Sequence, residues 1–151
     1  MPKQRIGIIG GSGFIGQALL RQLSQAGHEI IVYSRHPERH RDLPLFPGVT
    51  LRPLDPRQPQ QWGPALQGCE ALIYLVGILH DHPHPERTFN ALHHVFPHDL
   101  SICAQRVGVR RWLQMSALNA DAQHSPSRYL QSKGSGEEAL HRQHSPQFAV
   151  T

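Results

Sequence analysis

Residues Arg5 to Gly16 read RIGIIGGSGFIG, and the glycines in this stretch can be counted in two ways. Gly11, Gly13 and Gly16 spell G-x-G-x-x-G, whereas Gly10, Gly13 and Gly16 spell G-x-x-G-x-x-G. Each spacing builds a tight turn between an apolar strand and a helix, and each goes with a different placement of functional residues further along the chain. The context is informative whichever spacing applies. An apolar run, Ile6–Ile9, precedes the glycines and an amphipathic helical pattern follows them. A turn without Cβ atoms lets an anion approach the backbone. The unpaired N–H groups of the helix's first turn, at Phe14, Ile15 and Gly16, then meet it with the positive end of the helix dipole.

Outward from this stretch, apolar strand-like runs recur at Ile30–Tyr33, Val49–Leu51, Ala71–Val76, Trp112–Met115 and Phe148–Thr151, with helical patterns between most of them. Ile15, Ala18, Leu19, Leu23 and Ala26 mark one helical face, stopped at Gly27. Phe89, Leu92, Phe96, Leu100, Cys103 and Val107 mark another, stopped at Gly108 and interrupted by Pro97, where a kink or restart is expected. Pro59–Leu66 reads as a short helix and Ser127–Gln143 as a longer one. Near-continuous apolar strands alternating with helices predict an α/β fold. Its form is a doubly wound parallel sheet with helices on both faces, in three layers. The last four residues, FAVT, read as the start of a sixth strand. That ending suggests a single domain at residues 1–151, truncated before the part of the fold that follows.

Composition narrows the function. The 151 residues are enough for one buried core, and 38% hydrophobic with 17% charged residues describes a folded chain. The formal charge is +4, but the basic clusters at Arg35–Arg41 and Arg110–Arg111 are short and lack interleaved aromatics, so nucleic acid is not an expected partner. Cys69 and Cys103 are far apart and in no C-x-x-C pattern, as two reduced thiols of a cytoplasmic protein would be. No run approaches the length of a membrane span. His80, His82 and His84 alternate along a proline-rich segment, with His93, His94 and His98 beyond. No carboxylate or thiolate set stands at a metal-ligand spacing, so no metal site is expected. The segment follows the fourth strand and would border a substrate entrance.

The second strand ends IVYSRHP. Chains selective for NAD place an acid there to bind the ribose 2′-hydroxyl. This one has Ser34 and Arg35, and an arginine's planar, permanent charge suits a 2′-phosphate. A solvated loop arginine is the plainer alternative. The expected cofactor is NADP(H), with NAD(H) still open. Downstream, Tyr129 and Lys133 stand four apart, on one face of a helix. A neighbouring ammonium stabilises a phenolate and lowers a Tyr pKa from about 10, as proton transfer near neutrality requires. Ser116 follows the strand WLQM, at the strand end where a cofactor crevice would lie.

With these residues in order, the chain resembles the short-chain dehydrogenase/reductase superfamily in its extended or atypical branch. The segments that carry the likeness are GGSGFIG, AGHEI, LD before the third helix, GCEALIYLVGIL, GVRRWLQMSALNA and YLQSKGSGEEAL. The resemblance implies that Ser116, Tyr129 and Lys133 are catalytic. Tyr129 would exchange the proton, while Lys133 would tune it and hold the nicotinamide ribose. It also implies that Asp55 contacts the adenine amino group and that Val76 and Gly77 pass beside the cofactor. YLVGIL with MSALNA looks most like the atypical group that holds the nucleotide-binding accessory subunit of respiratory complex I and bacterial sugar-nucleotide epimerase-like proteins. Two roles follow as expectations. One is oxidoreductase or epimerase-type chemistry on an unidentified small molecule. The other is a non-catalytic, NADPH-holding structural subunit or redox-sensing regulator with a membrane-complex partner. A homo-oligomer is compatible with either. Three departures stand out: Pro56 after Asp55, Phe96-Pro97 in place of smaller residues, and Gly134 and Gly136 inside the catalytic helix, each costing about 1 kcal/mol relative to Ala. The likeness selects Gly10, Gly13 and Gly16 as the working glycines and makes the match through Gly11 incidental.

Overall fold

In the computed structural model, which describes residues 2–151, six strands form one parallel sheet. They are β1 (Arg5–Ile9), β2 (Glu29–Ser34), β3 (Val49–Pro53), β4 (Ala71–Tyr74), β5 (Arg111–Gln114) and β6 (Ala149–Val150). Their order across the sheet is β3-β2-β1-β4-β5-β6. The chain therefore winds outward from β1 to β3, crosses back to β4, and continues the other way. The reversal falls between β1 and β4, where parallel sheets open a crevice at their C-terminal edge.

Alternation along β1 splits the core into two halves. Ile6 and Ile8 face one side with Leu20, Ile30, Val32, Leu43 and Val49. Ile9 faces the other with Tyr33, Trp62, Leu72, Phe96, Leu100, Trp112 and Leu140. Helix α1 (Phe14–Gln25) covers the first side. Helices α2 (Trp62–Leu66), α3 (Phe96–Arg106) and α4 (Arg128–His141) cover the second. The α1 face differs from the one the periodicity predicts. Gly16, Leu20 and Ser24 are buried, Leu19 and Leu23 only partly, and Ile15, Ala18 and Ala26 are exposed. The cause is the glycine turn itself. Gly16 packs so closely on the Gly11 backbone that a Cβ there would overlap the Gly11 carbonyl. This close approach lays the 16-20-24 row on the sheet, and Ser24 Oγ donates to the Pro47 carbonyl at 2.7 Å.

Strand β4 is shorter than its apolar run. Leu75 N–H still donates to the Ile9 carbonyl at 2.8 Å, after which the chain leaves the sheet towards Gly77. Pro97 explains the start of α3. It has no N–H to give the His93 carbonyl, and the helix enters through a π turn at Ala91–Val95. The freed carbonyl lies against Gly136 of α4, where a Cβ would overlap it. The mid-helix glycine thus exchanges helix propensity for contact between α4 and the π turn. Gly134 is likewise covered, since a Cβ on it would come within 2.7 Å of Asp121 Cα. Ser127 caps α4 by accepting the Leu130 N–H at 3.2 Å.

Candidate functional site

The crevice at the β1–β4 reversal is a cleft of about 390 Å³. Its floor is the glycine turn. Gly10 has φ +85°, a left-handed conformation that glycine adopts without strain, and a Cβ on it would stand 3.0 Å from the Val76 backbone N. Gly13 is the extended residue before α1, and no side chain caps the helix. The first-turn N–H groups of Phe14, Ile15 and Gly16 are left for an anion. Phe14 itself is 94% exposed, so what it offers the turn is its backbone. Gly11, inside the turn, supplies the backbone on which Gly16 closes.

One end of the cleft is basic. Ser34, at the end of β2, and Arg35, His36, Arg39 and His40 just after it line the cleft together with Arg87, with no carboxylate among the lining residues. None of the three arginines is in an ion pair among the described residues. Asp55, the residue expected at the adenine amino group, lies at the rim of the cleft. Its neighbours Leu54 and Pro56 line the cleft, while its carboxylate takes the Arg57 guanidinium at 2.7 and 3.0 Å and the Arg57 N–H at 2.9 Å. These bonds hold its pKa below the ordinary carboxylate value.

The other end passes Val76 and Gly77. Behind Gly77 sits Lys133, only 4% exposed. Its Nζ donates to the Met115 carbonyl at 3.1 Å and lies 3.2 Å from where a Gly77 Cβ would stand. Burial lowers the Lys133 pKa, and Glu137 opposes this. Ser116, next to Met115, has a buried Oγ without a hydrogen-bond partner among the described residues. Tyr129, one turn before Lys133 on α4, packs edge-on against His93 and Phe89, ring centroids 5.5 and 5.9 Å away. The structure thus gathers the ends of β4 and β5 around Lys133, with Tyr129 on the same helix.

His93 is the residue the sequence reading missed. In the sequence it looks like one more histidine of a histidine-rich stretch, yet it is fully buried. Its Nε2 accepts the Ile78 N–H at 3.1 Å, so the proton is on Nδ1, which donates to Ser132 Oγ at 2.8 Å. Ser132 donates in turn to the Tyr129 carbonyl at 2.7 Å. His93 therefore ties the segment after Gly77 to the helix of Tyr129 and Lys133. Burial, then the Lys133 charge, pushes its pKa down to about 4, so it is neutral at physiological pH. The only available signal was its place four residues before Pro97. His80, His82 and His84 occupy an exposed segment. No group of three or more His, Cys, Asp or Glu among the described residues is arranged to hold a metal. No helix among them is long and apolar enough to cross a membrane.

The residues present fit a dinucleotide: a glycine cradle, an uncapped helix start, a basic end, and a buried, unpartnered hydroxyl near the other end. Comparison with known proteins agrees. Residues 10–145 match the family model described as NAD(P)H-binding. The chain is 30% identical over 140 residues to the mitochondrial NADH dehydrogenase [ubiquinone] 1 alpha subcomplex subunit 9 of Arabidopsis thaliana, covering 88% of this chain and 34% of that one. The fold is shared with the Bordetella bronchiseptica enzyme WbmG in complex with NAD (TM-score 0.73, 21% identity, 93% of this chain and 50% of that one). It is also shared with a short-chain dehydrogenase/reductase superfamily protein from Agrobacterium tumefaciens with bound NAD (TM-score 0.74, 22% identity, 97% and 47%). The chain thus spans about a third of the plant relative and about half of each of these structures. It belongs to the NAD(P)H-binding family, built on a Rossmann-type fold.

Proposed function

We propose that this domain binds NADP(H) in preference to NAD(H), and that in the whole protein Ser116, Tyr129 and Lys133 serve oxidoreductase or epimerase-type chemistry on a small molecule. The observation that carries the cofactor preference is the acid-free, arginine-lined end of the cleft. A dianionic 2′-phosphate there meets Arg35, Arg39 and Arg87, none of which has another ionic partner among the described residues.

Bound nicotinamide dinucleotide supplies or accepts a hydride; the residues of the chain handle the accompanying proton. Tyr129 exchanges it with a substrate oxygen, and the Lys133 ammonium stands one helical turn away. The Ser116 hydroxyl, which has no partner of its own, donates to that oxygen. Calorimetric titration tests the cofactor reading: NADPH binds more tightly than NADH, and Arg35→Ala lowers that ratio by about tenfold, the value of a charged hydrogen bond. An unchanged ratio refutes it.

A second reading is favoured by the similarity to a respiratory-complex subunit: the domain holds NADPH as a structural element and assembles with membrane-complex partners. Turnover by the whole protein that collapses in Tyr129→Phe supports catalysis. Copurification with a membrane complex, its NADPH unreacted, supports the structural role.

A further inference from the structure

Three carboxylates adjoin cleft-lining residues in the sequence: Asp55 between Leu54 and Pro56, Glu86 beside Arg87, and Glu38 beside Arg39. Left free, each would compete with a bound phosphate for the cleft's arginines. Glu38 Oε1 lies 3.3 Å from His36 Nδ1. The other two converge on one residue outside the cleft. Arg57 holds Asp55 at 2.7 Å through Nη2 and reaches Glu86 at 3.8 Å through Nε. Arg57 lies in an adjacent hollow of about 350 Å³. Pro56, Leu92 and Phe96 line both hollows and so form the wall between them.

We propose that Arg57 is a positioning residue for cofactor choice: by engaging the Asp55 carboxylate and drawing Glu86 towards the adjacent hollow, it keeps the phosphate end of the cleft purely cationic. The Asp55–Arg57 contact is well made, because the carboxylate side chain is 17% exposed and both of its oxygens are engaged. Arg35 also acts electrostatically on Asp55, though less than Arg57 does, so the two arginines compete for one carboxylate. Without Arg57, Asp55 turns to Arg35 and Glu86 to Arg87, leaving each less charge for a 2′-phosphate. An acid at the end of this pocket also accepts from a ribose 2′-hydroxyl, so the same change favours NADH.

This inference rests on the NADP(H) reading above, and the test separates the two. NADPH and NADH affinities are measured by calorimetry for the wild type and for Arg57→Met, which keeps the aliphatic stem. The expected result is a fall in the NADPH/NADH affinity ratio of about 2- to 5-fold, the range of a partly exposed charge pair. Arg57→Lys should recover part of the ratio. Adding Asp55→Asn and Glu86→Gln to Arg57→Met should restore it, which a merely structural defect would not do. A wild-type preference for NADPH that Arg57→Met leaves intact overturns the role of Arg57. So does a fall in ratio that the neutralised triple variant does not reverse. A wild type without preference overturns the NADP(H) reading itself.

Discussion

Lowering the pH from about 7 to about 4.5 should cost this domain about 2 kcal/mol of stability through one side chain, His93. The folded protein holds His93 as a neutral imidazole that accepts from Ile78 N–H and donates to Ser132, and its pKa stands at about 4 rather than 6.5. In the unfolded chain the same ring takes up a proton near the ordinary value. Between the two values the unfolded state binds more protons than the folded one, so stability is fully present above pH 6.5 and falls as the pH drops towards 4. The gap of 6.5 to about 4, at about 1.4 kcal/mol per tenfold change, is worth about 3 kcal/mol, of which about 2 is spent by about pH 4.5. Asp81 and Lys133 are the charged groups acting on the ring. Carboxylates titrating in the same range are removed by difference: urea unfolding is followed for the wild type and for His93→Gln, whose Oε1 keeps an acceptor for Ile78 N–H. The variant is less stable at neutral pH but loses about 2 kcal/mol less than the wild type on acidification. Parallel pH profiles would refute the buried neutral histidine.

Two further substitutions test the packing around the site. Gly136→Ala sets a methyl against the His93 carbonyl and should lower the unfolding free energy by about 1–3 kcal/mol, against the gain that helix propensity alone predicts; a stabilised variant contradicts the contact. Lys133→Met removes a buried ammonium whose folded pKa lies below 10.5. Wild-type stability should climb as pH rises through the window below 10.5, while the Met variant lacks that component and loses dinucleotide affinity. Equal alkaline profiles would contradict the burial of the charge.

The sequence is most legible where structure is local. The six strands were readable because each is a short apolar run between turn residues, and Ser127–Gln143 nearly matches α4 (Arg128–His141) because helical spacing and a serine cap are local signals. The α1 face was misread because hydropathy cannot see that Gly16 closes on Gly11, a contact that outweighs the pull of Ile15. The glycine turn, Ser116, Tyr129 and Lys133 could be picked out by residue type and spacing. His93 could not, because its burial comes from a π turn imposed by Pro97 together with partners on β4's exit and α4. The pairing of Asp55 with Arg57 is two residues long, yet nothing in the sequence tells whether the carboxylate turns to Arg57 or into the cleft. Likewise, Arg87 reaches the cleft from a loop more than fifty residues after Arg35, a distance over which no sequence pattern operates.

The central claim is that a phosphorylated nicotinamide dinucleotide lies on the glycine turn with its 2′-phosphate between the arginines. It is tested most directly by titrating the ¹⁵N-labelled domain with NADPH and following every backbone amide by NMR. The account predicts the largest shifts at residues 10–16 and at Ser34 to Arg39, with the second group muted when NADH replaces NADPH. Shifts confined to the opposite edge of the sheet, around Arg110 and Arg111, or no saturable shifts at all, would contradict it.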